Sequence, residues 1–284
     1  MLRLNLSAPW SGAALALLLL SACATSPPPG LITLDQATAI VASPDRSAAD
    51  RQNDVRRKPA EMLAFIGIRP GMQALDLSAG GGYTTELLAR AVGPTGHVYG
   101  QSAPRNTTNP PPPPAAPEGA SSPPLPSAQA TPPARRLTSP EALAVRAKNP
   151  QTANLSSVVR PFEDPVPPDL SAAKLDLVTL MFNYHDLGHM GVDRARMNRA
   201  VFAALKTGGI YVIADHAGRP GTGISEAGTL HRIEEAFLRQ EVEAAGFRLV
   251  SAGQFLRNPA DPRDKNTPEP PMPKDEFVLK FAKP

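Results

Sequence analysis

The chain has 284 residues, 42% of them hydrophobic and 19% charged, enough for one large core or one domain with appendages. A formal charge of +3, 5% aromatics and the absence of any basic block exclude the footprint of a nucleic-acid-binding protein. Proline is the outlier at 34 residues, and thirteen of these lie within 103–140, so the excess belongs to one segment and not to the fold.

Arg3 is the only charged residue before Asp35, and residues 13–20 form an apolar stretch too short to span a bilayer. Leu20-Ser21-Ala22-Cys23 follows. It resembles the bacterial lipoprotein signal, in which a cysteine after small residues is lipidated and becomes the first residue of the mature chain. Cys23 is the only cysteine, so no thiol is left for disulfides, metal binding or nucleophilic catalysis. An ordinary signal peptide with an incidental Cys23 is the alternative; both imply export. The expected division is a signal peptide over 1–22, a tether over 23–50, and one domain over 51–284 carrying a Pro-rich insertion at 103–140. The lipid would anchor the protein to the cell envelope, facing the periplasm. No protein partner is expected.

Residues 58–68 have a helical pattern with Met62, Leu63 and Ile66 on one side, closed by Pro70-Gly71. Strands are expected at 72–77, 97–100, 155–160, 175–182, 210–214, 248–252 and 276–281. Several are rich in Val, Ile and Leu without strict alternation, the composition of strands covered on both faces. Helical patterns lie between them, at 86–92, 141–148, 192–206 and 230–245. The last places Leu230, Ile233, Phe237 and Val242 on one face and ends at Gly246. Alternating strands and helices predict an α/β fold with a doubly wound, mostly parallel seven-stranded sheet. No helical pattern separates the last two strands, so they are expected to pair antiparallel at one edge. The insertion is expected to be a solvated, partly polyproline II spacer.

The stretch 75–88, LDLSAGGGYTTELL, is a strand that breaks into a glycine turn and resumes as a helix. Glycine lets the backbone approach a ligand closely, and a helix N-terminus presents unpaired N–H groups, so this is a cradle of the nucleotide-binding type. The order here is not G-x-G-x-x-G. It is Asp76-x-Ser78-x-Gly80-x-Gly82, an acid followed by small residues at every second position.

On these residues the chain from about 58 to 284 resembles a class I S-adenosylmethionine-dependent methyltransferase, and in particular a bacterial group of often exported members. GMQALDLSAGGGYTTELLARAVGPTGHVYG resembles the first motif and second strand of that family. LVTLMFNYHDL resembles its fourth strand, and YVIADHAGRPGTG with TLHRIEEAFLRQEVEAAGF its fifth strand and following helix. The resemblance implies S-adenosylmethionine as cofactor and a small-molecule or envelope acceptor. Asp76, Ser78, Ala79, Gly80 and Gly82 would lie under the methionyl part. Gln101 stands where an acidic residue usually grips the ribose, and Ser78 stands where glycine is usual. Phe162 and Glu163, with Asp164, would meet the adenine or form a plain polar turn. Asn183 at the end of the fourth strand would close the cofactor site.

Polar residues gather at the strand ends, where ligands bind in such sheets. The fourth strand ends Asn183-Tyr184-His185-Asp186 and the fifth Asp215-His216. His231 and Glu235 follow at helical spacing. His185, Asp215, His216 and His231 are the candidate catalytic residues, with His185 or His216 as a base that deprotonates the methyl acceptor. Asp215, His216 and either His185 or Asp186 also resemble the divalent-metal site of catechol-type O-methyltransferases, but their spacing is no local metal motif, and no metal is assigned. Asp186 as a helix cap and a surface His231–Glu235 pair are the structural alternatives. The competing functions are methyl transfer, an exported non-catalytic module that keeps the pocket for another ligand, and a metal-dependent enzyme using the His/Asp cluster.

Overall fold

A computed structural model describes residues 30–104, 137–268 and 271–284. Cys23, the signal peptide and most of the Pro-rich insertion lie outside the described residues. In chain order the elements are α1 (Leu34–Val41), α2 (Ala48–Arg57), α3 (Pro59–Ile66), β1 (Gln73–Leu77), α4 (Tyr83–Val92), β2 (His97–Ser102) and α5 (Ser139–Arg146). They continue with β3 (Leu155–Val159), β4 (Leu175–Met181), α6 (Tyr184–His189), α7 (Arg194–Ala204), β5 (Leu205–His216), α8 (Ala227–Leu230), α9 (Glu235–Ala244), β6 (Arg248–Gly253) and β7 (Glu276–Ala282). No helix among the described residues is long and apolar enough to cross a membrane.

The seven strands form one sheet in the order β3-β2-β1-β4-β5-β7-β6. β1 pairs in parallel with both β2 and β4. The chain therefore winds outward in two directions from β1, and the crevice at the carboxyl ends of β1 and β4 is the switch point where ligands bind. β7 is antiparallel to both β5 and β6, which puts the one reversed strand second from the edge.

Alternation along the strands separates two cores. Leu75, Leu77, Val178, Leu180 and Ile213 face Met197, Val201, Leu238 and Val242 on one side. Ala74, Leu177, Val212 and Ala214 face Met62, Leu63, Ile66, Leu87 and Leu88 on the other. Period-two side-chain direction places neighbouring residues on opposite faces, so both faces of the central strands are mostly apolar.

Two expectations are corrected. Residues 31–50 are not a tether. Thr33 and Gln36 form a capping box at the start of α1, Ile32 N–H donates to Ile68 O at 2.9 Å, and Ile32 and Ala37 are buried. Ser47 caps α2, whose Asp50 is buried. These helices are anchored by caps and ion pairs, including a fork from Arg46 to both oxygens of Asp54 at 2.6 and 2.8 Å, and leave little apolar periodicity in the sequence. The helix expected at 230–245 is broken. α8 ends at Leu230, His231 takes a left-handed conformation (φ 51°), and α9 begins at Glu235. Ile233 N–H instead donates to His216 O at 3.0 Å, so the apolar spacing across the break reports burial and not helix.

Candidate functional site

β1 delivers Asp76 to the crevice and the chain turns at once. Ser78 (φ 54°), Gly80 (φ 53°) and Gly82 (φ 81°) all occupy the left-handed region. Glycine adopts it freely, whereas Ser78 is strained by about 1–2 kcal/mol. Two bonds hold the strained residue. Ser78 N–H donates to Gln101 Oε1 at 3.0 Å, and Ser78 Oγ accepts from Asn183 Nδ2 at 2.5 Å. Gly82 admits no side chain, because a Cβ would lie 2.7 Å from Leu143 Cδ2 and 2.9 Å from Arg146 Cδ. The first turn of α4 has no side-chain cap, so its N–H groups face the turn.

A cleft of about 430 Å³ opens here, lined by Asp50, Asn53, Arg57, Asp76, the turn from Ser78 to Gly81, Tyr83, Arg146 and the β4 end from Met181 to Asn183. Asp76 is 2% exposed. Its two oxygens accept from Thr179 Oγ1 and Thr85 Oγ1, each at 2.7 Å. Burial pushes its carboxyl up to about 6 against those hydrogen bonds.

Arg57 was not visible as a site residue in the sequence, where it closes a polar helix. In the structure its guanidinium lies 5.3 Å from the Tyr83 ring centroid and 4.7 Å from that of Phe182. Among the described residues no carboxylate pairs with it, and its Nε is buried without a hydrogen-bond partner. Burial, with the neighbouring Arg56 charge, pulls it down to about 10, so it stays charged at neutral pH. The cleft thus presents the Arg57 cation, which no carboxylate among the described residues pairs, beside the buried carboxyl of Asp76.

Gln101 is fully buried, with both ends of its amide on main chain: Oε1 accepts from Ser78 N–H, and Nε2 donates to Arg160 O at 2.7 Å. It ties β2 and the segment after β3 to the glycine turn. Phe162 packs on the core, Asp164 pairs with Arg160, and neither Phe162 nor Glu163 is among the residues lining the cleft.

The strand-end residues converge beside the cleft. His185 is 2% exposed. Its Nδ1 lies 2.6 Å from Asp215 Oδ1 and its Nε2 3.2 Å from Asp186 Oδ1. Burial alone would push this imidazole down, but the two flanking carboxylates win and raise it to about 9. At neutral pH it therefore holds its proton, which opposes the expected base role in this arrangement. Asp215 accepts from His185 N–H at 2.9 Å and from its own neighbour's N–H, that of His216, at 2.8 Å. His216 lies 5.5 Å from the His185 ring and 5.6 Å from Phe182. Burial, with the Lys274 charge, holds it well below its ordinary range, so it is neutral. His231 Nδ1 approaches Asp186 Oδ1 at 3.0 Å. Its expected partner Glu235 pairs instead with Arg257, because the helix break turns the two apart.

No protein-family model matches the chain, and no curated protein matches its sequence. Solved structures do match. A SAM-dependent methyltransferase from Aquifex aeolicus aligns over 89% of this chain and all of its own, at 14% identity and a TM-score of 0.53. A complex from Haloferax volcanii between the Trm112 methyltransferase activator and a methyltransferase aligns over 88% of this chain and 98% of that one, at 18% identity and 0.51. The [4+2]-cyclase SpnF aligns over 84% and 81%, at 14% and 0.51. The fold is the α/β methyltransferase fold, with its mixed seven-stranded sheet.

Proposed function

We propose that the protein binds S-adenosylmethionine in the cleft at the end of β1 and transfers its methyl group to a small acceptor. What supports this is the meeting in one cleft of a left-handed glycine turn, a buried Asp76, and an Arg57 that pairs with no carboxylate among the described residues. The cofactor's methionyl end carries a carboxylate, which suits a guanidinium fork, and a sulfonium, which suits a nearby carboxylate. Backbone N–H groups of the turn and of the uncapped α4 N-terminus serve its polar groups. Chemistry then rests on holding acceptor and methyl in line, the main contribution a protein makes to a two-body displacement.

The fold similarity to S-adenosylmethionine-dependent methyltransferases supports the reading. Lipid anchoring at Cys23 belongs to the same proposal and would place the enzyme on the envelope. The alternative of a non-catalytic binding module is favoured by one observation: Gln101, at the position expected to grip the ribose, spends its amide on the main chain. Formation of S-adenosylhomocysteine separates the two. The chain is incubated with the cofactor and a panel of hydroxyl- and thiol-bearing small molecules, with Gly80→Asp as control. Acceptor-dependent product that the control lacks supports transfer; cofactor binding without product across the panel supports the module.

A further inference from the structure

We propose that His185 Nε2, Asp186 Oδ1 and His231 Nδ1 form a site for one divalent transition-metal ion of the zinc class, at the ends of β4 and β5 and distinct from the cofactor cleft. One ligand atom from each residue lies within 4.8 Å of the other two. Asp186 Oδ1 is 3.2 Å from His185 Nε2 and 3.0 Å from His231 Nδ1. Ligands about 2.0–2.2 Å from a tetrahedral ion sit roughly 3.3 Å apart, so these separations need only small adjustment.

The surroundings are those of a metal-binding imidazole. His185 Nδ1 faces Asp215 at 2.6 Å, and that carboxylate is itself held by two main-chain N–H groups. A carboxylate on one ring nitrogen fixes the ring's orientation and raises its basicity, and an ion binding at the other nitrogen displaces the proton held there. Here that second nitrogen points at Asp186 and His231.

His231 reaches the site through its left-handed backbone at the break between α8 and α9. The segment after it is fastened to the end of β5 by Ile233 N–H to His216 O at 3.0 Å, and to the loop before α8 by Glu234 N–H to Gly223 O at 2.8 Å. Strained conformations held by surrounding bonds gather at ligand sites. His185 forms a buried floor, while the side chains of Asp186 and His231 remain 33% and 40% exposed, which leaves an ion a way in.

The donor set decides the metal. Two imidazoles and one carboxylate suit zinc or a neighbouring first-row ion, whereas magnesium and calcium take oxygen donors. Three protein ligands leave a fourth position open for water or for a hydroxyl- or thiol-bearing small molecule. The inference does not depend on cofactor binding in the cleft.

The test is titration of zinc chloride into chelator-stripped full chain, monitored by calorimetry and, with cobalt(II) in zinc's place, by visible absorption. One equivalent is expected to bind at micromolar concentration or tighter. His231→Gln and Asp186→Asn, both partly exposed positions, are each expected to weaken binding at least 30-fold without loss of fold. Asp215→Asn should weaken it by about 10–100-fold. His189→Gln serves as the neighbouring-histidine control and should leave binding unchanged. No stoichiometric binding at 100-fold excess zinc would overturn the proposal, as would an affinity unaltered by His231→Gln.

Discussion

Arg146 is the tie between the helix above the glycine turn and the two elements beneath it, so its removal should be felt in both stability and binding. Its guanidinium donates to the two oxygens of Asp50 at 2.7 and 3.0 Å, to Glu86 Oε2, and through Nε to Gly81 O at 2.6 Å. Arg146→Met keeps the stem and deletes the fork. Glu86 retains Arg90, but Asp50, whose side chain is 7% exposed, loses its guanidinium. Breaking a fully buried pair costs about 3–5 kcal/mol and an exposed one under about 1. Arg146 is itself 18% exposed, which places the expected loss at about 2 kcal/mol. For a domain of this size that is a fall in Tm of about 4–8 °C. Arg146→Lys restores the charge without the fork and should recover about half. Thermal melts of the wild type, Arg146→Met, Asp50→Asn and the double variant measure the coupling directly. A Tm for Arg146→Met within 1 °C of the wild type, or a coupling energy near zero, would mean that Arg146 does not hold Asp50 in this way.

Other consequences follow from the cleft. Asp76 has its carboxyl raised to about 6 in the fold against an ordinary 3.8, so folding favours the protonated form. Its contribution is therefore most favourable below about pH 4 and is lost as pH rises to 6, by about 3 kcal/mol if the whole shift is expressed. Asp76→Asn should gain stability relative to wild type between pH 4 and 6, read by urea denaturation at both ends; a difference independent of pH would contradict this. Arg57→Gln should weaken S-adenosylmethionine binding at least tenfold while changing Tm by no more than about 2 °C, because no carboxylate among the described residues forms an ion pair with it; calorimetry and a melt decide. Gly82→Ala combines left-handed strain with the approach to Leu143 and Arg146 and should cost about 2–4 kcal/mol. Gly81→Ala meets nothing within 4 Å and has no positive φ, so it should stay within about 0.5 kcal/mol in the same denaturation assay.

Much of the fold was legible because both faces of the sheet are covered. Apolar-rich segments such as 175–181 and 210–214 mark the central strands, and the glycine turn after Asp76 marks the ligand-binding edge. What escaped was decided by tertiary partners. Leu230, Ile233 and Phe237 keep helical spacing across a break, because Ile233 is buried against the end of β5 and not along one helix. The polar sequence of α2 hides its role, since caps and ion pairs, not apolar periodicity, fix it over the cleft. Arg57 looks like any surface arginine until Tyr83 and Phe182 enclose it. Gln101 looks free to meet a ligand until Ser78 N–H and Arg160 O claim it. The histidines could be placed near one another from the strand order, but which carboxylate each would meet depended on the turn at His231, which no local signal announces.

In the proposed function the glycine turn, Asp76 and Arg57 form a working cofactor cradle. Calorimetric titration of S-adenosylmethionine and S-adenosylhomocysteine into the full chain, beside Gly80→Asp, tests it most directly. The substitution adds a strained carboxylate where the turn has open space, so it should block the cleft and spare the core. Binding at micromolar concentration that Gly80→Asp abolishes is the predicted result. A folded wild-type chain that takes up neither ligand at millimolar concentration would contradict it.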